Sequence, residues 1–287
     1  MTASASDQAT PQAPGPAPSV LIVKLGDTLP QLATALGDFE HWIAQGLHSA
    51  GTPVHIEVTD PRPEPKQAAT DHPRPPVHGF APPPPGLPLP QTLAHRRMGV
   101  VVTGSHAMVT DREPWSEATA AWLAEVVALG VPVLGICYGH QLLAHALGGE
   151  VWPHPLGLEL GTIEVEPTAE ATSDPLLGHL AQQGVRFAAQ SAHRQSVRTL
   201  PPGATVLARN AFEPHHAYRV GDCAWGVQFH PEFGPEATLG YVQHLANDLH
   251  AQGDNAHTLQ AQVRASPEAA SVLVRFAQLV ARHASPA

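Results

Sequence analysis

The sequence predicts an α/β fold, a three-layer αβα sandwich around a mostly parallel sheet. Three observations lead there. Short runs such as residues 19–24 and 131–136 are apolar throughout, as strands buried on both faces are. Stretches of helical periodicity fall between these runs. Beyond residue 150 the pattern changes to shorter, alternating strands, and after Pro235 it returns to helices.

Each element has its own reason. Residues 19–24 read as a buried strand, followed by a helical stretch near 30–46, and residues 54–58 alternate like a strand. Residues 98–103 form another buried run that ends at Gly104. A helix is predicted over 114–129, with Trp115, Trp122, Val126 and Leu129 on its apolar face and Pro114 in its first turn. After the strand at 131–136, residues 141–147 are helical and closed by Gly148-Gly149. Shorter strands are expected at 161–165, 205–208 and 224–229. Ser266-Pro267-Glu268 opens the last helix with an N-cap and a first-position proline.

Two stretches are expected to lie outside the packed core. Residues 1–18 are Ala, Pro, Ser and Gln without periodicity and read as a disordered lead-in. Residues 61–90 hold twelve of the thirty-one prolines, which neither helices nor sheet ladders accept, so they read as an inserted loop. The same segment has the composition of a PxxP docking element, but a semi-rigid surface loop is the simpler account. The expected organisation is a tail at 1–18, one domain over 19–247 and a helical extension at 248–287.

Composition narrows the function. The 287 residues are 43% apolar, with a formal charge of −10. Few Lys and Arg argue against a phosphate-backbone binder, so no nucleic-acid partner is expected. The apolar runs are too short to span a membrane, and the first ten residues lack the basic and apolar regions of a secretory signal. Two cysteines, Cys137 and Cys223, make no disulfide framework, so the cytoplasm is the expected compartment. The sequence carries no phosphate-binding G-x-x-x-x-G-K-[ST] loop and no dinucleotide fingerprint after a strand, and no cofactor is expected. His154, His215 and His216 have no ligand partner at a fixed spacing, so no metal is expected either.

The most informative segment is Gly135-Ile-Cys-Tyr-Gly-His-Gln141. A buried strand runs into Cys137 and a helix leaves directly after it, with glycines on both sides for clearance. This is the nucleophile-elbow pattern G-x-S-x-G with cysteine in place of serine. A helix N-terminus favours negative charge on the sulfur, and its free N–H groups can hold an oxyanion. A small buried cysteine is the equally open alternative for the turn taken alone. Cys223 is expected on a short strand near the sheet edge, with a structural role.

A nucleophilic thiol needs a base, and the base needs an orienting group. His140 and His145 lie on the helix after Cys137 and point along it. In Gln228-Phe-His-Pro-Glu-Phe233, an apolar strand ends in His230, and Pro231 stops the ladder. Glu232 can turn back to accept the ring N–H, as the acid of a Ser-His-Asp triad does.

Together these two segments resemble the class I, triad-type glutamine amidotransferases, most closely proteins similar to the amidotransferase domain of GMP synthase. The resemblance covers roughly residues 19–247 apart from the proline-rich insert. It implies a flavodoxin-like arrangement and a reaction in which Cys137 attacks the side-chain amide of L-glutamine. His230 would pass a proton to the leaving ammonia, Glu232 would orient His230, and water would hydrolyse a γ-glutamyl thioester. It also implies an oxyanion hole from the backbone of Gly104, Ser105 and Tyr138, with Gln141, Ala192 and His193 at the substrate. Ser191-Ala-His-Arg-Gln-Ser-Val197 departs from the family's S-H-x-D-x-V stretch at Ala192 and Gln195, and His106-Ala-Met stands where Gly-Pro is often found.

Two further readings follow. One keeps the triad but takes a γ-glutamyl amide or peptide as substrate. The other is a non-catalytic binding subunit on the same fold. A synthase or acceptor subunit is the expected partner in the amidotransferase reading.

Overall fold

The computed structural model describes residues 18–49, 51–63, 83–182 and 184–284. The expected lead-in at 1–18 therefore lies almost wholly outside the described residues, as does the middle of the proline-rich insert.

The first half is a β/α succession. It runs β1 (Ser19–Val23), α1 (Pro30–Leu36), α2 (Phe39–His48), β2 (His55–Thr59), α3 (Pro90–His95) and β3 (Gly99–Val102). It continues with α4 (Pro114–Ala128), β4 (Val133–Ile136) and α5 (Tyr138–Ala146). The second half is mainly strands: β5 (Glu150–Pro153), β6 (Glu159–Pro167), the short α6 (Gly178–Ala181), β7 (Phe187–His193), β8 (Gln195–Thr199), β9 (Ala204–Arg209), β10 (Ala217–Val220) and β11 (Ala224–Val227). The chain closes with α7 (Pro235–His244), α8 (Ala246–Ala251), α9 (Ala256–Gln262) and α10 (Pro267–Ala284).

Nine strands form one sheet in the order β2-β1-β3-β4-β11-β10-β9-β6-β7, and β5 pairs with β8 separately. The five strands from β2 to β11 are parallel, and the rest are antiparallel. The alternating directions of side chains along β1 show how the three layers form. Val20 and Ile22 join one core with α2 and α10, and Leu21 and Val23 join the other with α4 and α5. A third cluster, including Leu29, Phe39, Phe233 and Tyr241, sits beyond the strand ends.

Some elements differ from the sequence reading. The helix expected near 30–46 is two helices, broken at Gly37 with φ +87°. Asp38 then caps α2 and also accepts the Thr28 N–H at 2.7 Å, which fixes the break. Leu129 is the C-cap of α4 and 44% exposed, so it does not share the helix's buried face. Cys223 lies in the turn between β10 and β11, not on a strand near the sheet edge, because Gly221 with φ +57° closes the hairpin there. That turn is at the opposite end of β11 from His230. The C-terminal segment is helical, and α10 packs on α2, β1 and β7 within the first core. No helix among the described residues is long and apolar enough to cross a membrane.

Candidate active site

The carboxyl ends of β3, β4 and β11 meet in one place, where open parallel sheets bind their ligands. Cys137 leaves β4 with φ +51° and ψ −102°, a left-handed backbone that side chains rarely adopt. Its N–H donates to the Val227 carbonyl at 2.9 Å, and its own carbonyl accepts the Gln141 N–H at 3.1 Å. The strained residue is thus tied on one side to β11 and on the other to the first turn of α5. The flanking glycines have a steric reason. A Cβ on Gly135 would run into the Gly139 carbonyl, and one on Gly139 into the Val102 carbonyl.

His230 stands just past β11, its backbone N–H donating to Gln190 at 2.8 Å. Its ring is electrostatically coupled to the Cys137 sulfur, and its Nδ1 lies 2.7 Å from Oε1 of Glu232. Burial disfavours the charged ring, but the Glu232 carboxylate and the Cys137 sulfur outweigh it and raise His230 to about 10. Phe233 stacks on the ring with centroids 4.0 Å apart, and the Phe39 centroid lies 6.4 Å from it and 6.1 Å from Phe233. The fold thus brings together the three residues singled out from the sequence, through an elbow and a strand end 93 residues apart.

The other expected site residues surround this group. A Cβ on Gly104 would sit 3.2 Å from His230 Cε1 and 3.8 Å from Cys137 Cβ, so the loop after β3 passes directly over the pair. Ser105 Oγ accepts the Ala107 N–H at 3.1 Å, which shapes that loop. Tyr138 is the first residue of α5, where a backbone N–H has no partner within the helix. Its side chain turns away to Ser116 at 2.6 Å. Gln141 donates through Nε2 to the Gln195 carbonyl at 2.8 Å and to Gln228 at 3.0 Å. The Ala192 carbonyl is 3.8 Å from the Cys137 sulfur.

His193 borders the cavity, but both its ring nitrogens are engaged elsewhere. Nδ1 meets the Gln195 carbonyl and Nε2 meets Glu159, each at 3.0 Å. Glu159 also receives Ser191 Oγ at 2.9 Å and Asn210 Nδ2 at 2.8 Å, and lies 3.2 Å from His216 Nε2. Burial works against this carboxylate's charge, yet the two rings hold its pKa far below the ordinary glutamate value. Ligand atoms of Glu159, His193 and His216 lie within 4.8 Å of one another, so these are the residues with the spacing to meet a metal ion. His154 and His215 instead bond the Phe212 and Val197 carbonyls, so the three histidines considered from sequence do not converge.

A cavity of about 310 Å³ opens over Cys137. His106, expected from sequence only as part of the Gly104–His106 loop that a partner would order, is on its wall, and so is Tyr241, to which sequence reasoning gave no role. Tyr241 lies in the helical pattern after Pro235, and nothing local marks it.

A family model described as class-I glutamine amidotransferase matches residues 87–247, more than half of the chain. The chain belongs to the class-I glutamine amidotransferase family. GMP synthase [glutamine-hydrolyzing] of Thermomicrobium roseum is 41% identical over 134 residues, covering 47% of this chain and 23% of that protein. The same enzyme of Aeropyrum pernix is 42% identical over 137 residues, covering 48% and 24%. The alignments thus span about a quarter of these synthases. A γ-glutamyl-L-1-hydroxyisopropylamide hydrolase of Pseudomonas is 32% identical over 165 residues, 54% of each chain. Among solved structures, a glutamine amidotransferase of Thermotoga maritima superposes with TM-score 0.61 at 17% identity, covering 95% of this chain and all of that one. One of Methylobacillus flagellatus gives 0.61 at 20%, covering 93% and 94%. At such identities these neighbours speak to the α/β fold alone, and they share it.

Proposed function

We propose that the chain hydrolyses the side-chain amide of L-glutamine through Cys137, His230 and Glu232. The observation that carries this is a cysteine held at φ +51° on a strand-to-helix turn, beside the same loop glycine as a buried histidine that is itself 2.7 Å from a carboxylate. The Cys137 sulfur, its proton passed to His230, attacks the amide carbon. Negative charge then gathers on the carbonyl oxygen, where the N–H groups of Tyr138 and of the Gly104–Ser105 loop stabilise it. His230 gives its proton to the leaving nitrogen as the carbon–nitrogen bond breaks. Water, deprotonated by His230, cleaves the thioester to glutamate and returns the sulfur to its starting state. Glu232 holds the ring in place and stabilises its charge. Gln141, Ala192 and the backbone around His193 hold the glutamyl group. No step calls on a metal or an organic cofactor.

The ammonia released is suited to an acceptor on a synthase partner, in keeping with the two relatives named as glutamine-hydrolyzing GMP synthases, of which the alignments span about a quarter. A second reading keeps the same three residues and replaces glutamine by the γ-glutamyl amide of a larger amine. The Pseudomonas relative favours it. The test is ammonia release from L-glutamine by the purified chain and by Cys137→Ala. Loss of at least about 10³-fold in kcat is expected, and unchanged turnover in the variant would overturn the assignment.

A further inference from the structure

The cavity over Cys137 has two walls of different character. One is polar and comes from α5 and the β7–β8 arm, with Gln141, Arg194 and Gln195. The other comes from the start of α1, the loop after β3, and α7 with the residue after it: Leu29, His106, Tyr241 and Leu245.

His230 is buried and does not line the cavity, but the aromatic rings packed around it connect it to the second wall. Phe233 stacks on His230 at 4.0 Å and on Tyr241 at 5.2 Å, and Phe39 contacts both His230 and His106 at 6.4 Å. His106 Nε2 lies 2.9 Å from the Tyr241 hydroxyl, which also meets Thr28 Oγ1 at 3.0 Å. Since His230 protonates the leaving nitrogen, that nitrogen departs toward this wall. Ammonia is a single heavy atom and has no use for two leucines beyond it. Apolar walls with a few convergent polar groups are instead the make-up of a pocket for a small organic ligand. Burial, with His244 and His230 nearby, pushes the His106 ring below the ordinary histidine range.

We propose that this wall forms a compartment for the nitrogen substituent of the scissile amide, and that His106 and Tyr241 select a small amine bearing a hydroxyl group. The inference rests on Cys137 being the nucleophile. Leu29 and Leu245 lie against the amine's carbon atoms, and the His106–Tyr241 pair meets its hydroxyl. The sulfur–carbon bond forms, the carbon–nitrogen bond breaks, and the His230 proton leaves with the amine. Water then completes hydrolysis to glutamate and the free amino alcohol.

The test compares three substrates on the full chain by glutamate release: L-glutamine, γ-glutamylethylamide and γ-glutamyl-(2-hydroxyethyl)amide. The hydroxyethyl amide should exceed the ethylamide in kcat/KM by about tenfold or more, since a site that hydrogen-bonds a hydroxyl disfavours the analogue lacking it. Tyr241→Phe and His106→Ala should each cut the hydroxyethyl-to-ethyl ratio severalfold. That ratio is measured within one preparation, so a loss of folded enzyme does not move it. Cys137-dependent turnover in which the hydroxyethyl amide is no better than the ethylamide, or a ratio unmoved by either variant, would overturn the compartment alone. Turnover of all three substrates that survives Cys137→Ala would overturn the nucleophile and the compartment with it.

Discussion

The two halves of the sheet meet at β11, the strand that leads to His230, yet they hold the site together on different terms. In the parallel half, geometry is set by backbone: a left-handed cysteine, two glycines with carbonyls pressed against them, and a histidine at a strand end. In the antiparallel half, the wall of the cavity is set by side chains drawn from distant strands, around the buried Glu159. The first arrangement resists substitution through sterics. The second depends on charge, and so on pH.

The largest effect should come from the parallel half. Glu232→Gln is expected to lower kcat about 10²–10⁴-fold, because the ring loses the carboxylate that orients it and stabilises its charge. The same change should shift the alkaline limb of kcat/KM downward. In the wild type that limb reports His230 near 10, held there in part by the charge on Glu232. A slower variant with an unmoved limb would make Glu232 a packing group only.

A stability effect should come from the antiparallel half. Glu159→Gln removes one partner of a buried cluster and is expected to cost about 3–5 kcal/mol at pH 7, read by urea unfolding. The folded pKa of Glu159 is depressed, so its contribution is full above the unfolded value of 4.5 and is lost as pH falls toward the folded one. The deficit of the variant should therefore shrink below about pH 4.5. A deficit independent of pH would mean that the shape of the side chain, and not its charge, holds that wall.

The smallest effect is expected far from both. Cys223 lies in the β10–β11 turn at the other end of the sheet, its sulfur 3.7 Å from the Val127 carbonyl. Cys223→Ala should change stability by less than about 1 kcal/mol and leave glutamine turnover as it was. A marked loss of activity would tie the two ends of β11 together.

The same contrast explains what could be read without coordinates. The elbow is a contiguous pattern in which each glycine has a local steric cause, so Gly135, Cys137 and Gly139 announce themselves. His230, Pro231 and Glu232 are likewise adjacent, and the strand that delivers them is apolar throughout. The layers were legible too, because β1, β3 and β4 are short apolar runs between helical patterns. By contrast, the strands β7, β8 and β10 mix small, polar and charged residues and were not expected. Their stability comes from neighbours remote in the chain, as with Glu159 against His193 and Asn210. The break at Gly37 was missed because the Asp38 cap draws on Thr28, in the loop before α1. Tyr241 acquires its place only when α7 folds back over the loop carrying His106.

The central claim is that Cys137 is a nucleophile presented to a γ-glutamyl group. It is tested most directly by incubating the purified chain with a thiol-directed glutamine analogue and locating the adduct by peptide mass spectrometry. A single label at Cys137, blocked by excess L-glutamine and absent in Cys137→Ala, is the predicted result. A folded chain labelled at Cys223, or not labelled at all, would contradict it.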